Sequence, residues 1–384
     1  MQRRNFLKHL SVFPTLSLIE SLRANEDELK RNGKSAILLW MGGGPSTMDI
    51  WDLKPGAPTG GPFRPINTSG DVQICEHMPL MAKQMHNAAI IRSMSTREAD
   101  HMRGRYYMHT GYVPNPNMTH PSYGSVISHQ LQRPEVSIPK FISVGGGSMG
   151  AGFLGAKYSP FVVNSDGRIR NLDMKADQRF YQRAYALDAI ESEFINQRRG
   201  SAAKEHQAIL KEAFNVLTSS QMDALKVAGE PENVKERYGD NGFGKGCLMA
   251  RRLVEAGVPF IEVNLGGWDN HQNIHPMLRD TKLPMLDQGM SALFEDLEQR
   301  GLLEDTVVIW MGEFSRTPRI NQNAGRDHWA RSWSVVVGGG GMNGGISIGE
   351  TNSDGTRVET EPHTSQDVMA SVCKALGISL GTTF

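Results

Sequence analysis

The C-terminal half of this chain alternates short apolar runs with segments of helical length, and no other feature constrains its fold as much. Residues 258–265 (VPFIEVNL) and 306–311 (TVVIWM) are mostly apolar, and they run into Gly266-Gly267 and Gly312. A run this short, bounded by turn residues, reads as a strand buried on both faces. Segments 245–256, 276–299 and 364–376 have helical length and spacing, and 334–337 is a further strand. The N-terminal half repeats the theme with strands at 36–41 (AILLWM), 88–91 (AAII) and 141–144, the last ending in Gly145-Gly146-Gly147. Helices are expected over 79–86 and 101–109, and loops over 54–71 and 112–121, where Pro, Gly, Asn, Ser and Thr concentrate. Strands alternating with helices predict an α/β fold, a mostly parallel sheet sandwiched by helices.

Residues 175–227 form the longest helical region, with Ile209, Leu210, Ala213, Phe214, Val216 and Leu217 at the spacing of a core-facing stripe. The start of the chain stands apart. Arg3-Arg4-Asn5-Phe6-Leu7-Lys8 precedes a mildly apolar stretch, the layout of a twin-arginine export signal, with an amphipathic arm as the plainer alternative. The expected organisation is a signal and linker over 1–34 and one domain over 35–384, with a helical insertion around 170–240. Such a protein would be periplasmic or secreted. The chain ends soon after a helix, as a truncated one would. Lys plus Arg and Asp plus Glu number 41 each, so no basic excess points to a nucleic-acid partner. No run of 18 apolar residues suggests an integral membrane segment, and three scattered cysteines give no disulfide framework.

In sheets of this kind ligands bind beyond the carboxyl ends of the strands. There the sequence places Ser46, Thr47, Asp49 and Asp52, then Asp269-Asn270-His271, then Glu313 and Arg316, then Asp327-His328. Carboxylates and imidazoles at several strand ends are the layout of a metal-dependent hydrolase, and they suit Zn, Ca, Mg or Mn. Asp269, His271 and His328 are the leading metal ligands. Against this, Asp269 could cap a following helix, Asp327-His328 could be a loop ion pair, and Glu313 could simply pair with Arg316 three residues on. Gly42–Gly44 could cradle an anion with backbone N–H groups or merely permit close packing.

Three strings, LLWMGGGPSTMDIWDLKP, FGKGCLMARRLVEAGVPFIEVNLGGWDNH and VIWMGEFSRTPRI followed by GRDHW, closely resemble an exported bacterial family. It is known as domain of unknown function 1501 and is placed in the alkaline phosphatase/sulfatase superfamily. The resemblance implies an alkaline-phosphatase-like core and hydrolysis of a sulfate or phosphate ester, including sulfated glycans, at a divalent-metal site. Superfamily patterns are altered here: Asp269 is followed by His271 at two positions rather than four, Glu313-Phe314 replaces an Asp-His pair, and Gly42-Gly43 stands where an Asp would follow the first strand. His328 sits where a late imidazole is expected. The stretch from His101 through Arg105 to Thr110-Gly111 has sulfatase-like spacing, with His101 in the nucleophile slot. The resemblance therefore implies Arg105, with Arg316, on the ester oxyanions, His101, Ser46 or a water as attacking group, and Glu313 and Asp49 as second-site ligands. The alternative is a non-catalytic member that binds surface glycans or an exported partner in the old cleft.

Overall fold

The computed structural model describes residues 33–168, 186 and 219–383. The leader up to residue 32 and most of the predicted insertion, including Ile209 to Leu217, lie outside the described residues. Strand β1 (Ser35–Trp40) runs between β7 (Phe260–Asn264) and β8 (Thr306–Met311), parallel to both. Outward from β7 lie β5 (Phe141–Val144) and β6 (Phe161–Val163), also parallel. Outward from β8 lie β11 (Trp333–Gly339), β4 (Ala88–Met94) and β12 (Ser347–Ile348). Only β11 runs antiparallel to the rest of this eight-stranded sheet. The register places Trp40 opposite both Asn264 and Met311, so the loops leaving β1, β7 and β8 start at one level.

Both faces of the sheet are covered, which is why its strands are mostly apolar in continuous runs rather than at alternate positions. Ile37, Leu39, Ile261, Val263, Val308 and Trp310 point into one core, shared with α5 (Gly242–Glu255) and α7 (Leu283–Gln299). Ala36, Leu38, Phe260, Val307 and Ile309 point into the other, shared with α2 (His101–Thr110), α3 (Tyr123–Gln130) and α8 (Ser365–Ala375). Successive strand residues face opposite sides, so one short run feeds two cores.

Several elements differ from the expectation. The helix predicted over 276–299 is a short α6 (Ile274–Met277), a π turn (Leu278–Lys282) and then α7. Pro284 has no N–H to continue an α-helical ladder, and the wider turn takes up the break. The helix over 79–86 shortens to α1 (Pro79–Ala82) followed by a 3-10 turn (Met85–Asn87). The loop over 54–71 contains β2 (Pro65–Asn67), which pairs with β3 (Gln73–Cys75). The remaining α-helix among the described residues, α4 (Glu232–Tyr238), precedes α5. Strands β9 (Ser315–Arg316) and β10 (His328–Trp329) form a separate antiparallel pair beyond β8.

The segment after β1 is held by a buried charge pair. Asp49 receives Arg326 Nε on Oδ2 (2.8 Å) and Nη2 on Oδ1 (3.0 Å). Ser46 Oγ donates to Oδ2 at 2.6 Å, and His275 Nε2 lies 3.2 Å from Oδ1. Asp49 and Arg326 are essentially inaccessible, as is Ser46. The expected roles of Asp49 as a second-site ligand and Ser46 as an attacking group therefore need correction. Both oxygens of the carboxylate are taken, and the hydroxyl is spent on one of them. Burial alone would raise the Asp49 carboxyl, but the His275 hydrogen bond and the Arg326 charge outweigh it and hold it at about 2, against an ordinary 3.8. A depressed carboxyl contributes stability above its unfolded value, and that contribution is lost as pH falls from about 4 towards 2. Arg326→Met should strand the buried carboxylate and cost about 3–5 kcal/mol, to be read from urea unfolding at neutral pH.

Candidate metal centre

Polar side chains from four segments meet beyond the ends of β1, β7 and β8. Gly267 takes a left-handed conformation (φ 81°) after β7 and turns the chain towards Asp269 and His271. His101 opens α2, because Asp100 caps that helix by accepting from the Arg103 N–H (3.1 Å). Left-handed Gly111 ends it. Glu313 follows β8, and the β9–β10 pairing sets His328 opposite Arg316.

Asp269 meets Arg316 and the three imidazoles. Its Oδ1 lies 2.6 Å from Arg316 Nη2, 2.9 Å from His271 Nε2 and 3.4 Å from His328 Nε2. Its Oδ2 lies 3.3 Å from His101 Nε2. The three imidazoles are each tied at the far nitrogen. His101 Nδ1 meets Glu313 Oε1 (2.7 Å), His271 Nδ1 meets Asp327 Oδ1 (2.6 Å) and His328 Nδ1 meets the Ala99 carbonyl (2.9 Å). Carbonyls and ionised carboxylates only accept, so these partners assign a proton to Nδ1 of each ring. In the neutral ring Nε2 is then the lone-pair nitrogen, and all three Nε2 atoms face Asp269.

Histidine ligands of metals are held in this way, with the outer nitrogen donating to a carboxylate or carbonyl. The donor atoms of His101, Asp269 and His328 all lie within 4.8 Å of one another. Two donors on a tetrahedral cation with bonds of about 2.0–2.2 Å stand about 3.3–3.6 Å apart, and His101 Nε2 to Asp269 Oδ2 (3.3 Å) and His328 Nε2 to Asp269 Oδ1 (3.4 Å) each fall in that range, on different oxygens of the carboxylate. His101 Nε2 is buried and lacks a hydrogen-bond partner. By donor type and placement these residues fit a divalent cation.

Electrostatics sharpen the contrast among the groups. Burial would raise the Asp269 carboxyl, but Arg316 and the neighbouring histidines hold it at about 2, so it stays ionised. Burial lowers the His328 imidazole, which favours the neutral, metal-competent form. The Glu313 hydrogen bond raises His101 against the opposing effect of burial. Arg316 is inaccessible and donates through Nε to the Gly44 carbonyl (2.7 Å) and through Nη2 to the Gly43 carbonyl.

A protein-family model matches residues 33–384 under the description "protein of unknown function (DUF1501)". The chain belongs to this family. No curated protein matches its sequence. Among solved structures, a protein in the alkaline phosphatase superfamily from Vibrio parahaemolyticus is 12% identical, with a TM-score of 0.40, and 90% of this chain and 66% of that one are covered. A sulfatase from Pseudoalteromonas sp. is 13% identical, with a TM-score of 0.40 and coverage of 97% and 73%. Alkaline phosphatase from the Antarctic bacterium TAB5 is 14% identical, with a TM-score of 0.40 and coverage of 89% and 98%.

The DUF1501 chain thus brings together Asp269, His271, His328 and His101 and places Arg316 directly on Asp269. His101, expected as an attacking group, stands among the donors. Glu313 differs from both expectations for it. It neither pairs with Arg316 nor reaches Asp269, because Oε1 is engaged by His101 and by the Gly43 N–H (2.8 Å). Gly42–Gly44 serves close approach: a Cβ on Gly43 (φ 112°) would sit 2.7 Å from the Asp269 nitrogen. Asp327 as the partner of His271 was not foreseen. Its signal was the Asp327-His328 dipeptide, since neighbours on extended backbone point to opposite sides and can serve different partners.

Arg105 lies one helical turn beyond His101 on the same face of α2, half-buried, and donates through Nη2 to the Gly147 carbonyl. Its Nε is buried and lacks a partner among the described residues, and it is not among the groups touching Asp269. Arg105→Ala should leave the melting temperature nearly unchanged and weaken binding of inorganic sulfate or phosphate, measured by calorimetry. A large loss of stability with unchanged anion affinity would make Arg105 a purely structural residue.

Proposed function

We propose that this protein is an extracytoplasmic metal-dependent hydrolase of sulfate or phosphate esters, in which His101, Asp269 and His328 hold a divalent cation. The supporting observation is the convergence of three Nε2 atoms, each ring tied at Nδ1, on one ionised carboxylate. A cation held there supplies Lewis acidity towards a sulfuryl or phosphoryl oxygen. The chain's own groups do the rest. Glu313, Asp327 and the Ala99 carbonyl fix the rings, His271 stands at the edge of the cluster, and Arg105 is available to an ester oxyanion. Zn, Mn, Mg and Ca remain the metals to test, and sulfated glycans the substrate class to try first.

Metal analysis of protein purified without chelator, followed by zinc titration of the stripped protein, tests the centre. His101→Ala and His328→Ala should each lower metal affinity about tenfold or more, judged from what even outer-partner changes cost. Hydrolysis of aryl sulfates and aryl phosphates by the loaded protein, lost in both variants, tests the activity. One observation favours a binding protein without turnover: Arg316 already neutralises Asp269 at 2.6 Å. Should zinc not bind, glycan or partner binding in the cleft becomes the function.

The placement outside the cytoplasm rests on Arg3-Arg4 and the apolar stretch after them. Residues 1–34 fused to a folded reporter should direct its export, and Arg3→Lys with Arg4→Lys should stop it. Continued export of the double variant would point to the general secretory route.

A further inference from the structure

The loop before β10 closes on the loop after β7 around the side chain of Asn321. Its Oδ1 accepts from the backbone N–H groups of Asn323 (2.9 Å) and Gly325 (3.0 Å), and its Nδ2 donates to the His271 carbonyl (3.1 Å) and to Asp327 Oδ1 (3.2 Å). An amide offers one accepting oxygen and two N–H donors, so these four contacts use all of it and fix which way it points. The Asp327 oxygen it meets is the one bonded to His271 Nδ1 at 2.6 Å. Three backbone bonds run alongside: Arg326 N–H to the Asn270 carbonyl (3.2 Å), Asn273 N–H to that of Asn323 (3.0 Å) and Ile274 N–H to that of Ala324 (3.0 Å). Gly325 lies so close to the His271 carbonyl that a side chain would not fit there.

Packing does not hold the pair that Asn321 joins. The His271 side chain is 42% exposed and that of Asp327 54%, so hydrogen bonds must set their places. Without Asn321, among the described residues, the Asp327 carboxylate keeps no partner but His271 itself. A carboxylate held only by the ring it orients fixes nothing. That ring belongs to the cluster: His271 Nε2 lies 2.9 Å from Asp269 Oδ1 and 3.3 Å from His328 Nε2, so its direction bears on what a cation there would meet. We infer that Asn321 is a positioning residue: it holds His271 and Asp327 as one unit and so keeps His271 Nε2 against Asp269. This rests on the reading of the cluster as a metal centre.

Zinc affinity of the full chain, measured through a double-mutant cycle, tests whether Asn321 acts through His271. Asn321→Ala should weaken zinc binding about 3–10-fold, less than the roughly 10–100-fold that loss of a ring's direct partner costs. In the His271→Ala background the same change should cost less than about twofold more, because the ring it acts on is gone. Asn321→Ser is neutral and keeps an oxygen for the turn. It should therefore unfold at a urea midpoint close to the parent's and still weaken zinc binding as Asn321→Ala does. An equal loss from Asn321→Ala with and without His271 overturns the inference, since the residue then acts through the loop at large. So does parental zinc affinity in Asn321→Ser, the variant that decides the matter if Asn321→Ala does not fold. His101→Ala is the control. If it lowers affinity and the Asn321 variants do not, only the positioning role fails; if it too leaves affinity unchanged, the metal centre is wrong and the inference falls with it.

Discussion

The ion pair between Arg316 and Asp269 is the interaction on which the rest of this structure depends. A fully buried guanidinium is costly unless its donors are met, and here they are met by the Gly43 and Gly44 carbonyls and by Asp269. That requirement brings the loop after β1 against the loop after β7, so closely that position 43 has no room for a side chain. It also explains the level register of β1, β7 and β8, since a shift of one residue would carry a carbonyl or the carboxylate out of reach. The Asp49–Arg326 pair does the same further along, anchoring the chain after β1 to the loop before β10.

Much of this architecture was legible in the sequence. Strands buried on both faces cannot hide their composition, and β8 was read residue for residue. The meeting of Asp269, His271 and His328 was legible too, because charged and imidazole side chains at strand ends have nothing apolar to pack against. The antiparallel direction of β11 was not legible, since direction depends on the connection rather than on the strand's own residues. The π turn before Pro284 was missed because apolar spacing runs through it.

Roles within the site were harder to read than membership, and the reason is geometric. Glu313 and Arg316 are three residues apart, a spacing that pairs side chains on a helix. The backbone between them is partly extended, so each turns to a different partner: Glu313 to His101 and Arg316 to Asp269. Asp49 and Ser46 looked like site residues for the same reason as Asp269, being polar and just past a strand. Only the contacts of Asp49 with Arg326, from 277 residues later in the chain, and the Ser46 hydrogen bond to Asp49 show that they belong to the framework.

Charge balance connects the cluster to the kind of substrate proposed for it. Asp269, Glu313 and Asp327 are three carboxylates facing one guanidinium, Arg316, with imidazoles between them. When the imidazoles are neutral the group carries two uncompensated negative charges, which a divalent cation would balance. The Glu313 hydrogen bond raises the His101 imidazole, so protonation competes with a cation at that position. Once a cation balances the cluster, an incoming sulfate or phosphate ester brings new negative charge that Arg316, already committed to Asp269 and two carbonyls, is poorly placed to meet. On the same helix face as His101 stands Arg105, which donates to the Gly147 carbonyl and whose Nε is buried without a partner among the described residues. The contacts give Arg316 a building role: it ties Asp269 to the carbonyls of Gly43 and Gly44.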